Sequence, residues 1–177
     1  PATRKEMADS LKSQTVDSVS IKKNKSQKTN KIDTEIDYSA KDSVVFLGTG
    51  VGFLHGESDI QYKKINLKAD YVRISMDSSL VFARGTTDSL GLQKGEPVFS
   101  EGDQSYTSKE MTYNLKTKKG YIRQAVTQEG EGYIISDKTK KTDDDEFCMT
   151  GGKYTTCDNH DHPDFYLSMS KGKVKPG

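Results

Sequence analysis

The chain has 177 residues, a length that suits one domain with or without a tail, and its AVILMFWYC content of 32% is low for a protein with a deep interior. Net charge is +1 but uneven: residues 1–31 hold eight Lys/Arg against three Asp/Glu, and residues 32–177 hold 19 against 23, so the body of the chain has no general attraction for nucleic acid. No run approaches 18 apolar residues, which excludes a membrane-spanning helix, and two cysteines exclude a disulfide-dense scaffold.

Residues 1–35 form the first unit in chain order. Val16, Val19 and Ile21 stand isolated among Ser, Thr and Lys, too few to offset the entropy of ordering the segment, so a flexible basic tail is expected, with a short strand over Ile32 to Tyr38 as an option. The first residue is Pro1, which leaves an original leader open.

From residue 36 to residue 177 the text changes. Short runs rich in Val, Ile, Phe, Tyr, Thr and Ser are punctuated by Gly, Asp-Ser or Lys-Lys, the pattern of an all-β sandwich, roll or barrel. "FLGTGVGFLHG" (Phe46 to Gly56) has three closely spaced glycines, but β-like text follows where a dinucleotide site needs a helix; a tight corner is expected instead. In "INLKADY" the apolar row is Ile65, Leu67, Ala69 and Tyr71, and the next row is Val72, Ile74 and Met76. Such a change of face requires a bulge, a corner or a new strand.

"DYVRISMDSSLVFARG" (Asp70 to Gly85) and "EMTYNLKTKKGYIRQA" (Glu110 to Ala125) match at a spacing of 40: extended run, turn, return strand. A shorter echo, "DYSAKDSVVFLG", begins at Asp37. Repeated hairpins that stack on their neighbours predict an elongated β-jelly-roll, V-shaped, with two facing antiparallel sheets. If one edge of such a roll is open, its interior is an apolar trough suited to an acyl chain; if not, the same side chains fill a sandwich core.

"DDDE" at 143–146 reads as a solvated turn. Gly151-Gly152 suggests a two-residue hairpin turn, which would set Cys148 opposite Thr155 and away from Cys157. "CDNHDHPD" places Cys157, His160 and His162 close together, but Asp158-Asn159 and Pro163 favour a polar loop between strands around Tyr154 and Tyr166, and no fourth ligand is implied. Cys157 has no local cation to activate it. No catalytic residue, metal site or cofactor is expected.

Three stretches, "IQYKKINLKADYVRISMDSSLVFARGTTDS" (Ile60 to Ser89), "YNLKTKKGYI" (Tyr113 to Ile122) and "KYTTCDNHDHPDFYLSMSKGKVKPG" (Lys153 to Gly177), resemble the periplasmic N-terminal domain of Bacteroidetes-type outer-membrane lipopolysaccharide assembly proteins. This OstA-like family shares its jelly-roll with the periplasmic bridge proteins of lipopolysaccharide transport. The resemblance covers roughly residues 37–177, and "YTTCD" followed by an aromatic strand is its most specific part. It implies a non-catalytic periplasmic conduit that receives lipopolysaccharide from a neighbouring jelly-roll bridge protein, holds the acyl chains inside, and passes them toward a C-terminal outer-membrane barrel. Phe46, Phe53, Ile65, Leu67, Ile74, Phe82, Met111, Tyr113 and Ile122 are then the expected groove lining. Cys157 becomes a candidate disulfide residue whose partner would lie in the barrel part of such a protein; Cys148 matches no family position. The competing expectations are an extracytoplasmic β-sandwich that binds protein or glycan, and a stand-alone bridge protein of the same fold.

Overall fold

A computed structural model describes residues 35–102, 104–160 and 162–175. The expected flexible tail lies outside these residues except for Glu35, and the described part of the strand anticipated over Ile32 to Tyr38 is β1 (Asp37–Ser39). Then follow β2 (Ser43–Leu47), β3 (Val51–Tyr62), β4 (Ile65–Ser75), β5 (Leu80–Arg84), the small pair β6 (Thr86–Thr87) and β7 (Gln93–Lys94), β8 (Val98–Glu101), β9 (Gln104–Thr107) and β10 (Glu110–Asn114). The long strands β11 (Gly120–Glu129), β12 (Gly132–Lys141), β13 (Phe147–Thr155) and β14 (Leu167–Val174) complete the chain. Twelve strands form one antiparallel sheet, and β6 with β7 forms a separate hairpin.

The sheet folds over on itself because β4 changes partner along its length. Its first part pairs with β8 (Leu67 opposite Phe99) and its second part with β5 (Ile74 opposite Val81). The two routes meet again at β11, which pairs with β10 over Gly120 to Arg123 and with β9 at Val126. One layer therefore contains β5 and β10, the other β8 and β9, and the long strands run through both. Between them the ring β4-β5-β10-β11-β9-β8 is closed, and the outer strands extend it as a jelly-roll.

A crease separates the layers. Strict alternation would bring every second side chain inward, but the inward series changes phase on five long strands: on β4 Ala69 and Asp70 are buried in succession before Val72, and two residues separate the inward Ile122 from Ala125, Ser136 from Thr139, Met149 from Gly152 and the half-buried Met169 from Gly172. The positions are in register, since Ile122, Thr139, Met149 and Gly172 form one cross-strand row and Ala125, Ser136, Gly152 and Met169 another. On β3 the same place carries a register shift between His55 and Ser58, with Gly56 and Glu57 both at positive φ. Gln124 (φ 50°) and Gly151 (φ 63°) mark the crease on β11 and β13. The positive φ at Gly151 is what favours glycine; a β-carbon there would also meet the exposed Asp137 carboxylate, which would have to swing aside.

The sequence break in "INLKADY" is this crease, but it falls between Ala69 and Asp70, so Tyr71 belongs to the outer face and leaves the predicted inner row. Asp70 anchors the fold here: its carboxylate accepts hydrogen bonds from the Glu57 amide and the Thr86 hydroxyl, and its amide donates to Gly95 (2.8 Å). The Thr86 hydroxyl, ahead of the Glu57 amide and the Lys94 charge, holds the buried carboxyl below its ordinary pKa. The repeated hairpins are β4–β5 and β10–β11, which sit side by side through β5 and β10. Gly151-Gly152 makes no hairpin; β13 runs straight through both residues because its partners β12 and β14 continue on either side.

Candidate functional site

The inner faces of the two layers enclose a continuous apolar cluster that includes Leu54, Ile60, Leu67, Val72, Ile74, Val81, Phe99, Met111 and Ile122. Alternation on the two repeated hairpins supplies most of it: Val72, Ile74, Val81, Ala83, Met111, Tyr113 and Ile122 all project inward. Aromatic rings bridge the layers, with Phe99 stacked on Tyr106 (5.0 Å between centroids), tilted against Tyr113 (4.9 Å), and Tyr106 set edge-on to Phe147 (5.9 Å).

The cluster ends in a polar rim on the side remote from the crease. Lys141, the last residue of β12, is 2% exposed and reaches across the layers to Glu101, the last residue of β8, at 3.2 Å. It also donates to Asp145 in the turn before β13, and that ammonium keeps the Asp145 carboxyl below its usual range. The Lys141 ammonium stands about 6 Å from the ring centroids of both Tyr113 and Phe147. Beside this clasp the hydroxyls of Tyr106 and Tyr113 are buried and find no hydrogen-bond partner among the described residues. Burial raises the pKa of both phenols, with the charge of Glu101 adding to it, so both remain neutral donors at physiological pH.

Of the nine residues expected to line a groove, Ile65, Leu67, Ile74, Met111, Tyr113 and Ile122 lie in the buried cluster, each at most 6% exposed. Phe46, Phe53 and Phe82 lie elsewhere. Phe46 is 40% exposed, packs against Tyr38 (5.1 Å) and covers the bare backbone of Gly52. Phe53 and Phe82 fall on the outward set of β3 and β5, where the Arg73 guanidinium sits over the Phe82 ring. Strand phase, and not residue size, decides the face: the inward residues of β5 are the smaller Val81 and Ala83.

Sequence reasoning missed Lys141, Glu101 and Tyr106. The signal for Lys141 was its period-2 spacing from Thr139 together with an acid four residues ahead, but "KTKK" reads as solvated when considered alone.

The segment between β13 and β14 is a polar loop, as expected. The Thr155 hydroxyl donates to the Phe165 carbonyl (2.7 Å) and accepts from the Cys157 amide (3.0 Å), while His160 packs on Tyr133 (5.0 Å). Among the described residues no group of three His, Cys, Asp or Glu is placed to hold a metal ion, and both cysteines are free thiols. Cys148 lies opposite Lys140 on one side and Lys173 on the other.

Fold and interior together define the class: a two-layered β-jelly-roll of stacked hairpins with an apolar inside. No family model and no curated protein matches the sequence. Among solved structures the chain is similar to LptH from Pseudomonas aeruginosa, described as the LptA-homologous periplasmic component of the lipopolysaccharide transport device. The TM-score is 0.52 at 10% identity, over 84% of this chain and 100% of that one. At that identity the likeness is one of fold.

Proposed function

We propose that this roll is a non-catalytic periplasmic carrier domain that shelters the acyl chains of lipopolysaccharide between its layers. The observation that carries the reading is the amphiphilic layout of the interior: a continuous apolar cluster that ends at a rim where two buried tyrosine hydroxyls lack partners among the described residues. An unpaired buried hydroxyl costs about 1–3 kcal/mol, and the ester or amide carbonyls at the head of an acylated lipid are acceptors of the required kind. Each methylene moved from water into the cluster contributes about 0.8 kcal/mol, so short stretches of chain suffice for retention and no single lining residue dominates.

The interior is filled by its own side chains, so chains enter as the rims separate, and the Lys141–Glu101 contact is the link that must yield. The finer reading places the domain in an outer-membrane lipopolysaccharide assembly protein. There it would receive its cargo from a jelly-roll bridge protein and deliver it to a barrel, with Cys157 available for a disulfide to that barrel. "YTTCD" supports this assignment over a stand-alone bridge.

A photoreactive phenylalanine analogue at Ile122 should cross-link to lipopolysaccharide, whereas the same group at the adjacent, outward Tyr121 should not. Absence of adduct at Ile122, even after Lys141→Met has released the rim, refutes lipid carriage. The close packing of the six buried lining residues favours the second reading, a filled sandwich that binds protein or glycan on its surface. That reading predicts labelling at neither position.

A further inference from the structure

The outer side of the crease carries a charged row that the interior reading does not use. Tyr71, Arg84, Glu110, Arg123 and Lys138 are direct cross-strand neighbours on β4, β5, β10, β11 and β12. The row is ordered: Arg84 sits over the Tyr71 ring (5.0 Å), and Arg123 reaches the Glu110 carboxylate (3.3 Å). Beside it stands the β6–β7 hairpin, and Arg84, Glu110, Arg123 and Lys138 of the row, with Thr86, Gln93, Lys109 and Gln124, line a half-open cleft of about 650 Å³. That volume lies within the range of about 300–1,000 Å³ usual for small-molecule sites.

Four cations, Arg84, Lys109, Arg123 and Lys138, face two carboxylates, Glu110 and Asp137, in this cleft. Residues 32–177 carry a net charge of −4, so the positive excess of this cleft runs against the charge of the chain body, and it continues past Lys138 to Lys140, Lys171 and Lys173. Lys109 and Lys138 make no ion pair among the described residues, and the two guanidiniums are held in place by a ring and a carboxylate. Strands lie about 4.8 Å apart, so Arg84 and Arg123, two strands from each other, project from backbone positions about 10 Å apart with an acceptor between them. Hydroxyl and amide groups of Thr86, Gln93 and Gln124 complete the lining.

We propose that this cleft binds a sugar bearing two or more anionic groups, phosphates in the first instance. Arginines and lysines take the phosphates, while Glu110 and the Thr and Gln side chains take the sugar hydroxyls. The site is separate from the interior, and its existence does not depend on lipid carriage.

Calorimetric titration of the whole domain with fructose 1,6-bisphosphate tests it, with fructose and inorganic phosphate as controls. The expected result is saturable, salt-sensitive binding to the bisphosphate that Lys138→Glu weakens at least tenfold. Lys140→Glu makes the same charge change two residues along the same outer face, outside the cleft, and should alter affinity less than twofold. Vesicles containing phosphatidylinositol 4-phosphate, whose polyol ring carries two phosphates, form a second arm: the same dependence on Lys138 alone identifies lipid headgroups as a source of the ligand, and its restriction to the free bisphosphate identifies soluble sugars. Equal losses in the two variants, equal affinity for inorganic phosphate or for fructose, or no saturable binding in either arm overturns the proposal.

Discussion

The two faces of β11 and β12 both carry lysine, but the residue serves opposite ends on them. Inward, Ile122, Thr139 and Lys141 are buried, and the single cation among them is held by Glu101 and Asp145. Outward, Tyr121, Arg123, Lys138 and Lys140 face solvent. A lysine in the text is therefore uninformative by itself; its strand phase determines whether it is a structural clasp or a surface charge.

Breaking the inner face should have the largest effect. Ile74→Arg places an unpaired charge in the cluster and should abolish cooperative thermal unfolding, and Ile74→Ala should cost about 2–5 kcal/mol by denaturant titration. Next comes the clasp. Lys141→Ala strands Glu101 at the rim, but that carboxylate keeps some contact with water, so a loss of about 2–3 kcal/mol is expected, below the roughly 3–5 kcal/mol of a fully buried pair. The double variant Lys141→Met/Glu101→Leu should recover most of it; failure to recover would show that the clasp does more than neutralise charge.

Asp70, where inner and outer faces exchange, sharpens the comparison through pH. Its folded pKa is depressed, so its contribution is complete above the unfolded value of about 3.9 and is lost as pH falls through the lower folded value. Wild type should exceed Asp70→Asn in unfolding free energy at pH 7, and the gap should close in acid. A gap that stayed constant with pH would remove the carboxylate from the account. The smallest effect belongs to the outer face. Cys148→Ser should change stability by less than about 0.5 kcal/mol, and Cys148 should react with a thiol reagent faster than the less exposed Cys157.

Much of the roll was legible because its first half alternates cleanly. Ile65, Leu67, Val72 and Ile74 reveal both rows of β4 and the break between them, and the two 16-residue repeats are the adjacent hairpins at the centre of one layer. The same break recurs on β11 to β14, but there the inward positions include Ser136, Thr139, Gly152 and Gly172, and a row of small or polar residues gives no apolar period to read. Phe46, Phe53 and Phe82 misled for the converse reason, since size suggests burial while position on the pleat sends Phe53 and Phe82 outward. The clasp joins β8 with β12, a contact that only the rolled topology creates, and the outer cleft gathers residues of β5, β10, β11 and β12 that lie far apart in the sequence.

The crease gives the roll an unusual mechanical character. β4, β11, β12, β13 and β14 each belong to both layers, so neither layer can unfold by itself and the domain should lose its structure as one unit. Prising the free margins apart needs no strand to detach: the motion is flexure about a line where Gly56, Gly151 and the unusual backbone at Glu57 and Gln124 already interrupt the regular pleat. The molecule is thus built like a folded card, stiff within each leaf and compliant along one scored line.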